Sequence, residues 1–238
     1  MKRKIVAFTA ILILANSCFA FPQVFPAPSI NGPTGLIRIP SADVIPYKNF
    51  SVAADYGTRA VSGSSESEFY YKMNLGTFHG TEVGIVGGAD QSGQRPREGV
   101  YVNLKLALST GEDAYPLLLA IGTENLFSYN KADVYMVATK YLKQGPKLTF
   151  GFMADFPNNK FRPSGMLGAE FALSDAFILA ADGMLGETLS QVNAGARFYF
   201  TPIFSVNLSG INLLDDSSNP RGKDPKAYLI GINWANPF

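Results

Sequence analysis

The chain ends on an alternation of side chains that fits a two-faced strand. In AYLIGINWANPF (227–238), Tyr228, Ile230, Ile232 and Trp234 share one face, and Phe238 keeps the same parity. Leu229, Gly231, Asn233 and Ala235 share the other. Successive side chains of a strand point to opposite faces, so one face here is large and apolar and the other mostly small or polar. A soluble sheet buries its apolar face in a core, whereas a barrel strand in a bilayer turns it to acyl chains. The same separation recurs upstream. Val100, Val102, Leu104, Leu106 and Leu108 oppose Tyr101, Asn103, Lys105 and Ala107. Phe150, Phe152 and Phe156 oppose Thr149, Gly151 and Asp155, and Phe198 and Phe200 oppose Asn193, Gly195 and Arg197.

Composition decides how a chain with such faces would cross a membrane. It is 47% hydrophobic, yet after residue 20 no apolar run approaches the ~18 residues of a spanning helix. Strands that alternate lipid-facing and lumen-facing residues never look uniformly apolar, so they remain compatible with this pattern. Lys and Arg number 20 against 19 Asp and Glu, with no basic concentration along the chain, which removes a nucleic-acid reading.

Twelve strand candidates follow residue 49: 50–57, 68–77, 82–89, 99–109, 116–124, 133–142, 147–156, 166–173, 177–182, 191–200, 205–213 and 227–234. The connections alternate in character. Those at 58–67, 90–98, 125–132, 157–165, 183–190 and 214–226 are long and polar. The others are tight and carry turn residues, such as His79-Gly80, Gln144-Gly145-Pro146, Ser174-Asp175 and Thr201-Pro202. Outer-membrane barrels have short periplasmic turns and long outer loops, and an even strand count returns both ends to one side. The sequence therefore predicts an all-β fold: a transmembrane antiparallel up-and-down β-barrel of about twelve strands, spanning 49–238, with both ends periplasmic.

The beginning of the chain predicts export. Lys2, Arg3 and Lys4 precede an apolar run ending at Ala15, and Ala20 fits a cleavage point, so 1–20 reads as a signal peptide. Cys18 has an alternative reading as a lipidated cysteine; with cleavage after Ala20 no cysteine is left. Residues 21–48 contain Pro22, Pro26, Pro28, Pro33, Pro40 and Pro46, which rules out a regular spanning strand. This segment reads as a periplasmic lead-in, packed into or across the barrel mouth as a plug or seal. Arg38 is then expected to reach Asp55 or Glu82.

A charge facing lipid without a partner is costly, so the strand charges are expected inside. The lumen candidates are Lys72, Lys105, Lys140 and Arg197 with Asp55, Glu82, Asp155 and Glu170, balanced in sign. Catalytic chemistry is missing. The only histidine, His79, sits in a predicted turn without a nucleophile at convincing spacing, and no metal-ligand pattern or phosphate loop appears. The reading is a non-enzyme without cofactor or metal. Its expected partners are outer-membrane lipid, lipopolysaccharide and the barrel-assembly machinery, in a Gram-negative-type outer membrane.

Two stretches add resemblances. Tyr228, Ile230, Ile232, Trp234 and Phe238 resemble the C-terminal signal by which outer-membrane barrels are recognised for assembly. Thr34-Gly35-Leu36-Ile37 followed by Pro40-Ser41-Ala42 resembles the opening motif of YjbH-type outer-membrane proteins, a family linked to exopolysaccharide production. Members of that family are usually much longer, so this chain would correspond to one barrel unit. The resemblance implies an accessory part in polysaccharide secretion or export, with polysaccharide or export proteins as partners. A small porin-like diffusion channel for polar solutes and a non-conducting structural barrel are the alternatives.

Overall fold

The computed structural model describes residues 24–61, 64–88, 99–109, 117–126, 132–143, 145–156, 161–186, 190–214 and 226–236. The expected signal peptide, 1–20, and Phe238 lie outside these residues. Twelve strands form: β1 (Phe50–Val61), β2 (Ser64–Phe78), β3 (Thr81–Gly88), β4 (Val100–Ser109), β5 (Leu117–Leu126) and β6 (Asp133–Tyr141), then β7 (Lys147–Asp155), β8 (Arg162–Ser174), β9 (Phe177–Gly186), β10 (Ser190–Thr201), β11 (Phe204–Ile211) and β12 (Ala227–Asn236). Each pairs antiparallel with its sequence neighbours, and β1 pairs with β12, from Phe50 opposite Asn236 to Arg59 opposite Ala227. The sheet is a closed barrel with no free edge.

Every strand has two faces for the reason read in the sequence. On β12, Tyr228, Ile230, Ile232 and Trp234 are exposed on the outer wall, while Leu229, Gly231, Asn233 and Ala235 are buried. Phe150 and Phe152 on β7, Leu167 on β8 and Leu185 on β9 continue this apolar outer belt. An all-round apolar exterior of this kind is stable only against hydrocarbon. The barrel end at which β1 starts and β12 stops is the turn end; the opposite end is the loop end. Outward aromatic rings gather at the turn end, where Phe50 meets Trp234 edge-on at 5.6 Å and Phe198 meets Phe200 at 4.8 Å. Aromatic rings gathered in this position mark a membrane boundary.

Two expected long loops are largely strand. The β1–β2 ladder continues to Val61 opposite Ser64, so 58–67 narrows to a connection at 62–63. The β9–β10 ladder reaches Leu185 opposite Ser190, which reduces 183–190 in the same way. Polar residues such as Thr58 and Ser67 hide the continuation, because hydrogen bonding between strands goes on past the apolar belt.

The interior is occupied by residues 27–45. Two small turns tie this segment to itself: Pro28 bridges Thr34 and Gly35 bridges Pro40. Ile30 N donates to Ile37 O at 2.8 Å and Leu36 N to Ile39 O at 3.0 Å. Gly35 permits the tight tip, since a Cβ there would lie 2.9 Å from Pro40 Cα. Leu36, Ile39 and Ala42 pack on Tyr135, Val137, Met153, Met166 and Met184 of the wall. Ile30 and Ile37 pack on Tyr70, Ile211 and Leu229. On β8, Gly168 makes the room: a Cβ there would stand 3.0 Å from Ile39 Cδ1. A segment without lipid to face has found its apolar partners inside the barrel.

Candidate functional site

The functional candidate is the lumen with the segment it holds. Residues 24–49 enter and leave at the turn end. Phe25 N donates to Pro202 O at 2.8 Å on entry, and Lys48 N donates to Gly76 O at 2.9 Å on exit. Between these points the segment goes far deeper than the mouth. Asn31 Nδ2 donates to Glu124 Oε2 at 2.9 Å, two residues from the loop end of β5. Arg38 Nη1 donates to Gln191 Oε1 at 2.6 Å, on the second residue of β10. Of the two expected arrangements, a seal across the mouth or a plug within it, the structure has a plug, and it threads most of the barrel.

Two wall carboxylates grip its backbone. Glu82 accepts from Thr34 N at 2.8 Å, Thr34 Oγ1 at 2.7 Å and Ile45 N at 3.0 Å. Asp182 Oδ2 accepts from the amides of Ile37, Arg38 and Ile39 at 2.9, 2.7 and 3.2 Å. Its Oδ1 accepts from Asn193 Nδ2 at 2.7 Å. Cations hold the carbonyls. Lys105 Nζ donates to Thr34 O at 2.6 Å, Asp43 O at 2.8 Å and Thr34 Oγ1, with Glu82 at 3.9 Å. Lys72 Nζ donates to Ser29 O at 2.8 Å and pairs with Asp55. Arg197 donates to Leu36 O at 3.3 Å and to Glu170 at 3.3 Å. Charge-assisted bonds of this kind are the strong ones in a dry interior.

Most of the predicted lumen residues meet here. Asp55, Lys72, Glu82, Lys105, Glu170 and Arg197 are all buried on the inner face. Asp155 has the inward parity but lies half-buried at the loop end, opposite Asp133 and Arg162. Lys140 is the correction: it shares the outward parity of Val134 and Met136, opposite Leu117 and Leu148. It stands one residue from the turn end of its strand, where a lysine can lay its stem along apolar surface and carry its ammonium to the boundary, so its charge does not require the lumen. The partner expected for Arg38 is also corrected, because Asp55 and Glu82 are engaged as described and Arg38 reaches Gln191.

In the entrance motif, Thr34 bonds Glu82 and Lys105, Gly35 and Leu36 carbonyls meet Arg197, and Leu36 packs on the wall. Ile37 bonds Asp182, Pro40 bridges Gly35, Ser41 Oγ donates to Asp43 at 2.7 Å, and Ala42 N donates to Thr139 Oγ1 at 2.9 Å. Asp182, Lys147, Glu124 and Asp43 were missed. Asp182, Lys147 and Glu124 stood at the edges of predicted strands, where extending the inward parity by one residue would have found them.

Asp43 carries a pH signature. Burial pushes its carboxyl up, but the Lys147 ammonium and hydrogen bonds from Tyr141 and Ser41 outweigh this and hold its pKa at about 2, against an ordinary 3.8. A depressed folded value stabilises the plugged state above the unfolded value and loses that contribution as pH falls from about 4 to about 2. The expected gap between wild type and Asp43→Asn is about 2 kcal/mol from this linkage near neutrality, closing over that window. Urea unfolding of both proteins at pH 6, 4 and 2 measures it; a gap independent of pH contradicts the pairing.

No protein-family model matches the chain, and no curated protein matches its sequence. Solved structures are similar in fold. The KdgM porin superposes with a TM-score of 0.53 at 8% identity, covering 76% of this chain and 98% of that one. An outer-membrane channel of the COG4313 group from Pseudomonas putida F1 gives 0.46 at 9% identity, over 85% of this chain and 100% of that one. The translocator domain of the autotransporter NalP from Neisseria meningitidis gives 0.43 at 11% identity, over 83% and 91%. At these identities the likeness shows the fold alone. The chain is an outer-membrane-type β-barrel protein.

Proposed function

We propose that this protein is a barrel kept shut by its own N-terminal segment and that it serves polysaccharide secretion as an accessory, beside the conduit rather than as the conduit. The observation that carries the reading is the plug. Among the described residues, two small cavities between plug and wall measure about 40 and about 20 Å³, room for a few waters at most and far too little for a sugar ring. The motif that resembles the polysaccharide-linked family, Thr34 to Ala42, lies in the middle of the segment that fills the lumen and makes many of its ties to the wall. A polymer in transit would have to displace it. The second reading, a channel for polar solutes that opens when the segment withdraws, is favoured by the hydrophilic wall behind the plug, where Ser51, Asn193, Ser205 and Asn233 are buried.

Planar-bilayer recording tests the closure. The full-length protein is expected to show no stable conductance steps, and a variant lacking residues 24–45 to show them. Equal conductance in both would end the closed-barrel reading. The secretion role is tested by deleting the gene and measuring extracellular polysaccharide. A drop restored by the wild-type chain supports it; unchanged secretion leaves only the solute-channel or structural role.

A further inference from the structure

Three neighbouring strands near the turn end carry polar side chains that the plug does not use. Ser205 on β11 is directly opposite Asn233 on β12, and Ser51 on β1 is opposite Ala235, the next inward position of β12. All three side chains have the lumen parity, and Ser51, Ser205 and Asn233 are 0%, 0% and 1% exposed. Among the described residues, Ser51 Oγ, Ser205 Oγ and both Asn233 side-chain atoms have no hydrogen-bond partner. Leaving a buried donor or acceptor unpaired is costly, and native interiors seldom tolerate several together. The ties described above run instead from the segment to β2–β7, β9 and β10, so this row is not part of the grip on the plug.

The geometry points to a binding row for uncharged, hydroxyl-rich solutes, of the saccharide class, built from Ser51, Asn233 and Ser205. The inference rests on the second reading above, the solute channel that opens when the segment withdraws from the lumen, and not on the closed-barrel reading. Two hydroxyls and one carboxamide each supply both donors and acceptors, the complement that vicinal sugar hydroxyls need. Neither a carboxylate nor an ammonium belongs to the row, so it offers nothing specific to an anion or a cation. The nearby charges Asp55 and Lys72 satisfy each other. With strands about 4.8 Å apart, the row runs roughly 10 Å around the wall, enough to meet more than one hydroxyl of a chain passing along it.

The test uses full-length protein and maltohexaose, a neutral linear probe. Asp182→Ala removes the acceptor of three plug amides and supplies the conducting background. Maltohexaose added from the turn side is expected to block its current saturably. Adding Asn233→Leu should raise the half-blocking concentration at least tenfold, and Ser51→Ala with Ser205→Ala should do the same. No block, or block unaltered by these substitutions, overturns the inference. If Asp182→Ala passes no current, gating through Asp182 fails on its own, and saturation-transfer NMR on the variant lacking residues 24–45 decides this one. A maltohexaose signal lost in Asn233→Leu upholds it; absence of a signal overturns it. Heat-modifiable migration of each variant separates loss of binding from loss of the barrel.

Discussion

Replacing Lys105 with methionine is expected to destabilise the folded barrel by about 3–5 kcal/mol, the usual cost of removing one partner of a buried ion pair. Lys105 and Glu82 are both 1% exposed. The ammonium satisfies Thr34 O, Thr34 Oγ1 and Asp43 O as well as lying 3.9 Å from Glu82. Its loss leaves a carboxylate without counter-charge and takes the charged donor from two plug carbonyls, leaving Thr34 O only Ser41 N and Asp43 O only the Thr34 hydroxyl. Thr34 and Ile45 would still donate to Glu82, but neutral donors do not replace a cation in a dry lumen. Urea unfolding in detergent micelles measures the effect. The double variant Lys105→Met with Glu82→Gln should recover part of the loss, because no unpaired charge is then buried. A change below about 1 kcal/mol in the single variant, the size seen for solvated pairs, would mean that water fills the lumen and that the plug does not sit against Lys105.

Asp182→Ala should free the tip of the plug and open the barrel. One carboxylate oxygen accepts from the amides of Ile37, Arg38 and Ile39, and the other from Asn193. Each buried donor left without an acceptor costs about 1–3 kcal/mol, so three amides of one turn cannot all stay where they are. The tip contacts Met153, Met166 and Met184, side chains flexible enough to close over the gap it leaves. The expected result is current through bilayers carrying the variant, with protease cleavage at 36–39 in the purified protein. Asp182→Asn keeps one acceptor and the shape, so it should open the barrel less often. Silent bilayers and an uncut tip in Asp182→Ala would show that the segment is held without Asp182, by the remaining ties and the apolar packing.

The barrel was legible because its signal is local and repeated. Alternation along Val100 to Leu108 or Tyr228 to Trp234 needs no knowledge of the rest of the chain, and β4 and β12 present those faces as read. Charge gave most of the lumen for the same reason, since Asp55, Glu82 and Arg197 sit on the small or polar parity of their strands. Lys140 misled because charge was read without position: near a membrane boundary a lysine stays outside and reaches water with its ammonium. The depth of the plug was not legible. Pro-rich composition excluded a strand, but the partners of Ile37 and Ile39 are far along the chain, on Asp182. No local pattern announces that a backbone amide will meet a carboxylate on a distant strand. The strand extensions at 58–61, 64–67 and 183–185 escaped because their polar residues were taken as loop, whereas the ladder continues along them.

The measurement that tests the plugged barrel most directly is amide hydrogen exchange of residues 27–45 in the native, lipid-embedded, full-length protein. The amides of Thr34, Ile37, Arg38, Ile39 and Ile45 donate to buried wall carboxylates. Those of Ile30 and Leu36 donate within the segment. Exchange in such positions requires the segment to leave the lumen or the barrel to open. The expected result is protection of these seven amides comparable to that of strands β3 and β9, collapsing at Ile37, Arg38 and Ile39 in Asp182→Ala. Exchange of the segment at the rate of a free peptide, while the strands stay protected, would contradict the account: the segment would then hang outside an open barrel.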